Sequence, residues 1–187
     1  MKMRKWVGLG TLIAGLLQVS GARAIQGVQV QIEPVVGYER AYKPQPSPHS
    51  KLRFLYGIRA TAGYSILSGE LEATRASDSE SYPAQLQTIE ESSEKVKLGL
   101  RSGFERPNAS FFFRAGGQAQ RVSRTTTTSG VAAKSSDPIS IDPYAGIGSE
   151  LGSKSIRLTG SATVVFRDLQ AWSKNELQTT VGLKIGR

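Results

Sequence analysis

The sequence predicts an all-β fold, an eight-stranded antiparallel up-and-down transmembrane β-barrel, and three observations carry that expectation. Apolar and polar residues alternate with period 2 along eight successive segments, the pattern of strands with two unlike faces. The connections between those segments alternate in length, short at one end and long at the other. The chain also opens with an export leader, which directs the remainder out of the cytoplasm.

The leader is MKMRKWVGLGTLIAGLLQVSGARA, residues 1–24. Lys2, Arg4 and Lys5 form its basic start, Trp6 to Val19 its apolar middle, and Ala22-Arg23-Ala24 a cleavage motif. The apolar run is shorter than the roughly 18 residues a retained membrane helix requires. Cleavage removes four cations and no acid, so the formal charge of +9 falls to +5 over residues 25–187. The remaining Lys and Arg are dispersed among acids along the strands instead of clustering with aromatic platforms, which argues against nucleic acid as a partner. With no cysteine in the chain, neither a disulfide nor lipid attachment to a thiol holds the protein together or in place. No stretch of 3.6-residue periodicity follows the leader, so residues 25–187 are expected to form one β domain.

The first strand is expected near Val28 to Arg40, with Val28, Val30, Ile32, Val36 and Tyr38 on one face and Gln29, Gln31, Glu33, Gly37 and Glu39 on the other. The second, Lys51 to Tyr64, sets Leu52, Phe54, Tyr56 and Ile58 against Arg53 and Arg59. The third, Leu67 to Arg75, opposes Leu67 and Leu71 to Glu70 and Glu72, and the fourth, Lys95 to Arg106, opposes Val96, Leu98 and Leu100 to Lys97 and Arg101. A fifth, Ser110 to Arg121, carries Phe111 and Phe113 opposite Phe112, Arg114, Gln118 and Gln120. The sixth, Ile139 to Leu151, has Ile141 and Ile147 opposite Asp142, Tyr144 and Glu150. The seventh, Ser155 to Arg167, has Leu158 and Val164 opposite Arg157 and Thr163. The eighth, Leu177 to Arg187, has Val181 and Leu183 opposite Gln178, Thr180 and Lys184.

Short turns are expected around Ser65-Ile66, Pro107-Asn108 and Gly152-Ser153-Lys154. Long polar loops are expected at AYKPQPSPHS, ASDSESYPAQLQTIEESS, VSRTTTTSGVAAKSSDP and DLQAWSKN, with the Thr125-Thr126-Thr127-Thr128 run a flexible surface segment. Pro34 and Pro143 fall inside strands, where a missing N–H predicts a bulge or a strand limit.

Alternation alone leaves open which face is inside, and a soluble lipocalin-like carrier would put the apolar face inward. Strand length, aromatic residues near strand ends (Tyr38, Tyr64, Phe104, Phe111) and opposite charge on neighbouring strands favour the reverse arrangement, apolar residues outward against lipid. The inward face then carries an ion-pair network of Glu33, Arg53, Arg59, Glu70, Glu72, Lys97, Arg101, Arg114, Asp142, Glu150, Arg157 and Lys184. Counting through the turns brings Arg59 opposite Glu72 and Glu150 opposite Arg157.

This pattern resembles the small eight-stranded outer-membrane barrels of the OmpA/OmpX type over residues 25–187. The resemblance implies a bacterial outer-membrane location, lipid and lipopolysaccharide as surroundings, the barrel-assembly machinery as a partner in biogenesis, and no cofactor or metal. Such barrels end in a segment with glycine and a terminal aromatic residue; VGLKIGR keeps Gly182, Leu183 and Ile185 but ends in Arg187. His49, Asp78 and Ser79, in the first two loops, look like the loop His, Asp and Ser of lipid A palmitoyltransferases, whereas the expected charged interior offers no slot for an acyl chain. A small pore is a further alternative, set against an interior only wide enough to be filled by side chains. Arg40, Arg75 and Arg121 have lipid-face parity at the long-loop end, where guanidinium groups contact lipid phosphates or mark the membrane limit.

Overall fold

The computed structural model describes residues 28–43, 47–64, 66–106, 108–153 and 156–185. The leader and its cleavage motif lie outside the described residues, as do Pro107, Lys154, Ser155, Gly186 and Arg187. Nine strands follow one another: β1 Gln29–Lys43, β2 His49–Gly63, β3 Leu67–Tyr82, β4 Gln87–Glu105, β5 Ala109–Thr128, β6 Val131–Ser136, β7 Ser140–Gly152, β8 Ile156–Val165 and β9 Glu176–Ile185. Every pairing is antiparallel. Chain neighbours pair except β6 and β7, which both pair with β5, and β1 pairs with β9. Eight strands therefore close into a ring, and β6 stands outside it as a flap on the upper part of β5. Closure pairs the first strand with the last over Val35–Arg40, so every strand of the ring has a neighbour on both sides, as a sheet needs in a medium that offers its backbone no hydrogen bonds.

The burial pattern is inverted relative to a water-soluble barrel. Leu98 is 68% exposed, Leu100 60% and Phe113 61%, while Arg59, Lys95, Lys97, Glu72 and Glu176 are each 1% exposed or less. Alternation sends the apolar set outward on every strand of the ring, so the polar set converges on the lumen. Outside, Tyr38, Phe54 and Tyr56 form an aromatic cluster with ring centroids 5.7 and 6.3 Å apart.

The expected strands are present in the ring: β1 to β5 run longer than expected, β7 is offset by one residue and β8 stops at Val165 instead of Arg167, while two expected loops prove to be strand. β3 runs past Arg75 to Tyr82, β4 begins at Gln87, and a single turn of 3₁₀ helix, Pro83–Gln85, joins them with Leu86 at φ 48°. β5 runs through the threonines to Thr128 and returns as β6 over a two-residue turn, Ser129 at φ 51° and Gly130 at φ 85°. Positive φ at both central residues is the twist-compatible hairpin geometry. The upper parts of β3, β4 and β5 with β6 thus form a four-stranded sheet that rises above the ring. On the opposite side the chain between β8 and β9 is short, so the upper rim is lopsided.

Register corrects one expected pair. Arg59 does face Glu72, but Glu150 faces Thr159, and Arg157 faces Gly152. The connection after Gly152, which has φ 135°, shifts the pairing by two residues, and an even shift preserves which face each side chain takes. Neither proline ends its strand, and neither makes a bulge in the ladder that runs through it. β1–β2 pairing passes through Pro34↔Ile58, whereas β1–β9 pairing begins at Val35; β5–β7 pairing passes through Pro143↔Gly117, whereas β7–β8 pairing begins at Tyr144. Each proline bounds one ladder, as a missing donor requires.

Glycines on the inner face make room for inner aromatic rings. Tyr144 lies in the cross-strand row Glu70–Gly99–Gly116–Tyr144, and a Cβ on Gly99 would collide with its hydroxyl and with the Ala115 carbonyl. Replacing Gly99 with Val should therefore lower the unfolding free energy of the refolded barrel by about 1–3 kcal/mol, the usual scale of overpacking. Gly117→Val, on the outer face with its nearest neighbour Ile141 Cγ2 at 4.0 Å, should leave it unchanged; urea titration of heat-modifiable gel mobility reads both.

Candidate functional site

The lumen is filled by three tiers of charge, each built from strands that alternation turns inward. At the short-turn end, Glu150 of β7 accepts from Arg101 of β4, Lys184 of β9 and Arg157 of β8, the last at 3.3 Å. Arg101 also lies flat over Phe112, its guanidinium carbon 3.5 Å from the ring centroid. That stack supplies a cation–π contact where few polar partners fit.

The middle tier centres on Arg59. Its guanidinium donates to Glu72 (Nε at 2.7 Å), Glu33 (Nη1 at 2.7 Å) and Thr180 Oγ1 (2.9 Å), so side chains from β3, β1 and β9 are tied to one side chain. Glu72 also receives Lys97 and Arg114, the latter at 3.1 Å, and Arg114 pairs with Glu70. Glu33 gains Thr159 Oγ1 at 2.8 Å. Charges this deep are tolerated only when counter-ions and extra hydrogen bonds meet them, and here the donors outnumber any single carboxylate.

The upper tier joins Glu39 and Glu176 through Lys95, with Arg53 on Glu39 at 2.6 Å and Arg167 on Glu176 at 2.7 Å. Lys95 and Glu176 are missing from the sequence-based set. Starting the last strand at Leu177 left Glu176 out, although its parity with Gln178 and Thr180 marks it as inward. Lys95 has the parity of Lys97 and Arg101 and was legible in the same way.

Two sequence-based assignments differ from the structure. Asp142 is only half-buried and accepts from Ser140 Oγ at 3.2 Å, and among the described residues it joins no ion pair, because it sits above the β7–β8 ladder at the rim. His49, Asp78 and Ser79 lie in strands, not loops, and do not assemble as a trio. Asp78 pairs with Lys43 at 2.5 Å and Lys51 at 3.0 Å, His49 Nε2 meets Glu80 at 3.2 Å, and Ser79 points to the opposite face.

These residues form instead an ionic clasp at the mouth. The β2–β3 ladder stops at Leu55↔Ala76, and above it the two strands are bridged by side chains alone. Lys51 reaches Glu80 at 2.8 Å and the Ser79 carbonyl at 3.2 Å, and Arg53 reaches Asp78 at 3.4 Å and Glu91. Arg124 extends the chain of charge to Glu91 and Asp137, both at 2.9 Å. Burial alone would raise the Glu80 carboxyl, but donors from Lys51, Tyr82 and His49 and the Lys43 charge outweigh it and hold its pKa at about 2. Asp78 is lowered in the same way, burial being outweighed by Lys43 and Lys51. The His49 pKa is raised, first by its Nδ1 contact with the Ser47 carbonyl and then by Glu80.

Arg40, Arg75 and Arg121 all project outward and are exposed. They do not form one cluster: Arg75 and Arg121 flank Glu94 in a single cross-strand row, while Arg40 stands on β1 between Leu52 and Leu177.

Two measurements follow from the tiers and the clasp. Arg59→Met leaves Glu33 and Glu72 without their shared cation and should cost about 3–5 kcal/mol of unfolding free energy in lipid vesicles, since one partner of a buried pair is removed. For His49, a raised folded pKa means that its contribution is complete below the ordinary value of 6.5 and fades as pH rises through the folded value. An NMR titration should place the ring above 6.5 in the native protein and return it toward 6.5 in Glu80→Gln.

No family model matches this sequence, and no curated protein matches it either. Solved structures do. The chain superposes on the neisserial surface protein NspA with a TM-score of 0.58 at 11% identity, covering 86% of this chain and 99% of that one. It superposes on Ail, the attachment invasion locus protein of Yersinia pestis, solved in complex with the heparin analogue sucrose octasulfate, with a TM-score of 0.59 at 11% identity, covering 83% and 96%. The closed ring of eight strands is shared with these proteins in architecture though not in sequence: the chain has the fold of the small eight-stranded outer-membrane β-barrels.

Proposed function

We propose that this chain is an integral outer-membrane barrel of a diderm bacterium, exported through a cleaved leader, that acts without catalysis as a closed anchor for a surface-exposed sheet. The observation that carries this reading is the inversion of the wall, with Leu98, Phe104 and Ile147 outward and Arg59, Lys97 and Glu72 inward. In water such a surface would aggregate; in lipid it is the stable arrangement. The lumen tiers suit a plug better than a pore, because each reaches across the interior: Arg101 and Lys184 meet on Glu150, Lys97 reaches Gln178, and Lys95 reaches Glu176.

An acyltransferase is disfavoured by the separation of His49 from Ser79 and by an interior that offers charge where an acyl chain would lie. His49→Ala should leave the lipid A mass spectrum of the host unchanged. A lipocalin-like carrier is disfavoured by the same inversion, since its ligand would meet carboxylates and guanidinium groups.

Recognition, on this reading, belongs to the tall sheet of β3–β6. It carries an open concavity of about 810 Å³ lined by small hydroxyl side chains such as Ser77, Ser92, Ser123 and Ser136, with Arg124 and Lys134 beside Glu90 and Glu91. The mixed charge does not by itself favour a polyanion such as the heparin analogue seen with Ail. Outer-leaflet lipid phosphates are assigned to Arg40, Arg75 and Arg121, and changing all three to Gln should reduce lipopolysaccharide association and raise detergent sensitivity.

Topology offers the direct test, and the absence of cysteine makes it clean. On intact cells a membrane-impermeant maleimide should label Lys134→Cys in the tall sheet and spare Asn108→Cys in a short turn. Recovery of the protein in the soluble fraction, or labelling of the short turn instead, would overturn the reading.

A further inference from the structure

The connection between β8 and β9, residues 166–175, differs in kind from the tall sheet across the rim. It is pinned by its own side chains: Asn175 Oδ1 accepts from the Arg167 and Asp168 amides at 3.0 and 3.1 Å, and Asp168 Oδ1 from the Gln170 and Ala171 amides at 2.9 and 3.1 Å. Lys174 closes the loop onto Asp168 at 2.9 Å, and a 3₁₀ turn spans Trp172–Lys174. A loop so ordered nevertheless leaves Leu169 84% and Trp172 65% exposed. Those two side chains are the feature that calls for an occupant.

Their position supplies one. Along β8 the outward set is Ile156, Leu158, Ala162 and Val164, and Phe166 continues that parity one step beyond the strand. The Trp172 ring packs on Phe166, 6.4 Å between centroids, so it lies on the outward side of the wall. Directly below, Val164 faces Leu177, and Leu177 faces Arg40. The apolar face therefore continues upward from the strands into the loop without a break, with the cations of Arg40 and Lys174 at its margin. An indole with an apolar body and a polar N–H, flanked by cations, fits the headgroup boundary of a bilayer.

We propose that residues 166–175 are a lipid-level anchor, with Leu169 and Trp172 set into the boundary between headgroups and acyl chains of the outer leaflet. The inference rests on the outer-membrane reading above. It narrows that reading, because this fourth connection is then part of the membrane-seated surface, whereas the tall sheet reaches outward.

The only other tryptophan of the chain is Trp6 in the leader, so subtracting the spectrum of Trp172→Phe isolates one ring. The protein is reconstituted into phosphatidylcholine vesicles with and without bromine on the acyl chains. Insertion of the loop predicts a blue shift of the Trp172 emission, strong loss of it to the brominated lipid, and little quenching by aqueous acrylamide. Protein that floats with the vesicles and is heat-modifiable, yet whose Trp172 is quenched by acrylamide and untouched by bromine, overturns the anchor while leaving the barrel standing; a chain that neither floats nor shows heat-modifiable mobility overturns both.

Discussion

A ring of eight strands has an interior only wide enough for side chains, so any charge that alternation turns inward must find its counter-ion there. Most of this protein's architecture follows from that constraint. Glu33, Arg59 and Glu72 sit on three consecutive strands, and their separation across the ladders, not along the chain, brings them together. Lys95 similarly ties Glu39 on β1 to Glu176 on β9, across the seam where the two ends of the ring meet. That seam carries fewer paired residues than its neighbours because Pro34 ends it early, and the charge bridge lies at its other end, beside the last backbone pair Arg40↔Leu177.

The same constraint explains the inner glycines and aromatics. Long side chains from one strand need short ones opposite, and Tyr144 spreads across Gly116 and Gly99 while Phe112 lies over Gly148. A larger residue at Gly116 would strike the backbone of the next strand, and at Gly99 or Gly148 it would strike a backbone carbonyl together with the Tyr144 hydroxyl or the Phe112 ring.

Much of the wall was legible in the sequence because a strand between lipid and a polar interior has two chemically opposite faces. Leu52, Phe54, Tyr56 and Ile58 against Arg53 and Arg59 is such a strand, and its residues stand where the alternation puts them. Above the ring that contrast disappears. In Ser77–Tyr82 and Arg124–Thr128 both faces meet water or polar neighbours, so the residues alternate between one polar type and another and read as loop. Ser129-Gly130 was the available signal for the β5–β6 hairpin, a two-residue turn that favours positive φ. The clasp of His49, Lys51, Asp78 and Glu80 was not legible for the same reason, since it depends on two polar strand ends leaning together without a ladder between them.

The account stands on which face meets lipid, and site-directed spin labelling measures that directly in a chain with no native cysteine. Labels at Leu98→Cys and at Ile147→Cys, in the barrel reconstituted into vesicles, should be accessible to dissolved oxygen and shielded from a water-soluble nickel complex. Collision with the nickel complex at both positions, or immobilised labels accessible to neither reagent, would place those side chains in water or in a protein core and contradict the inverted wall.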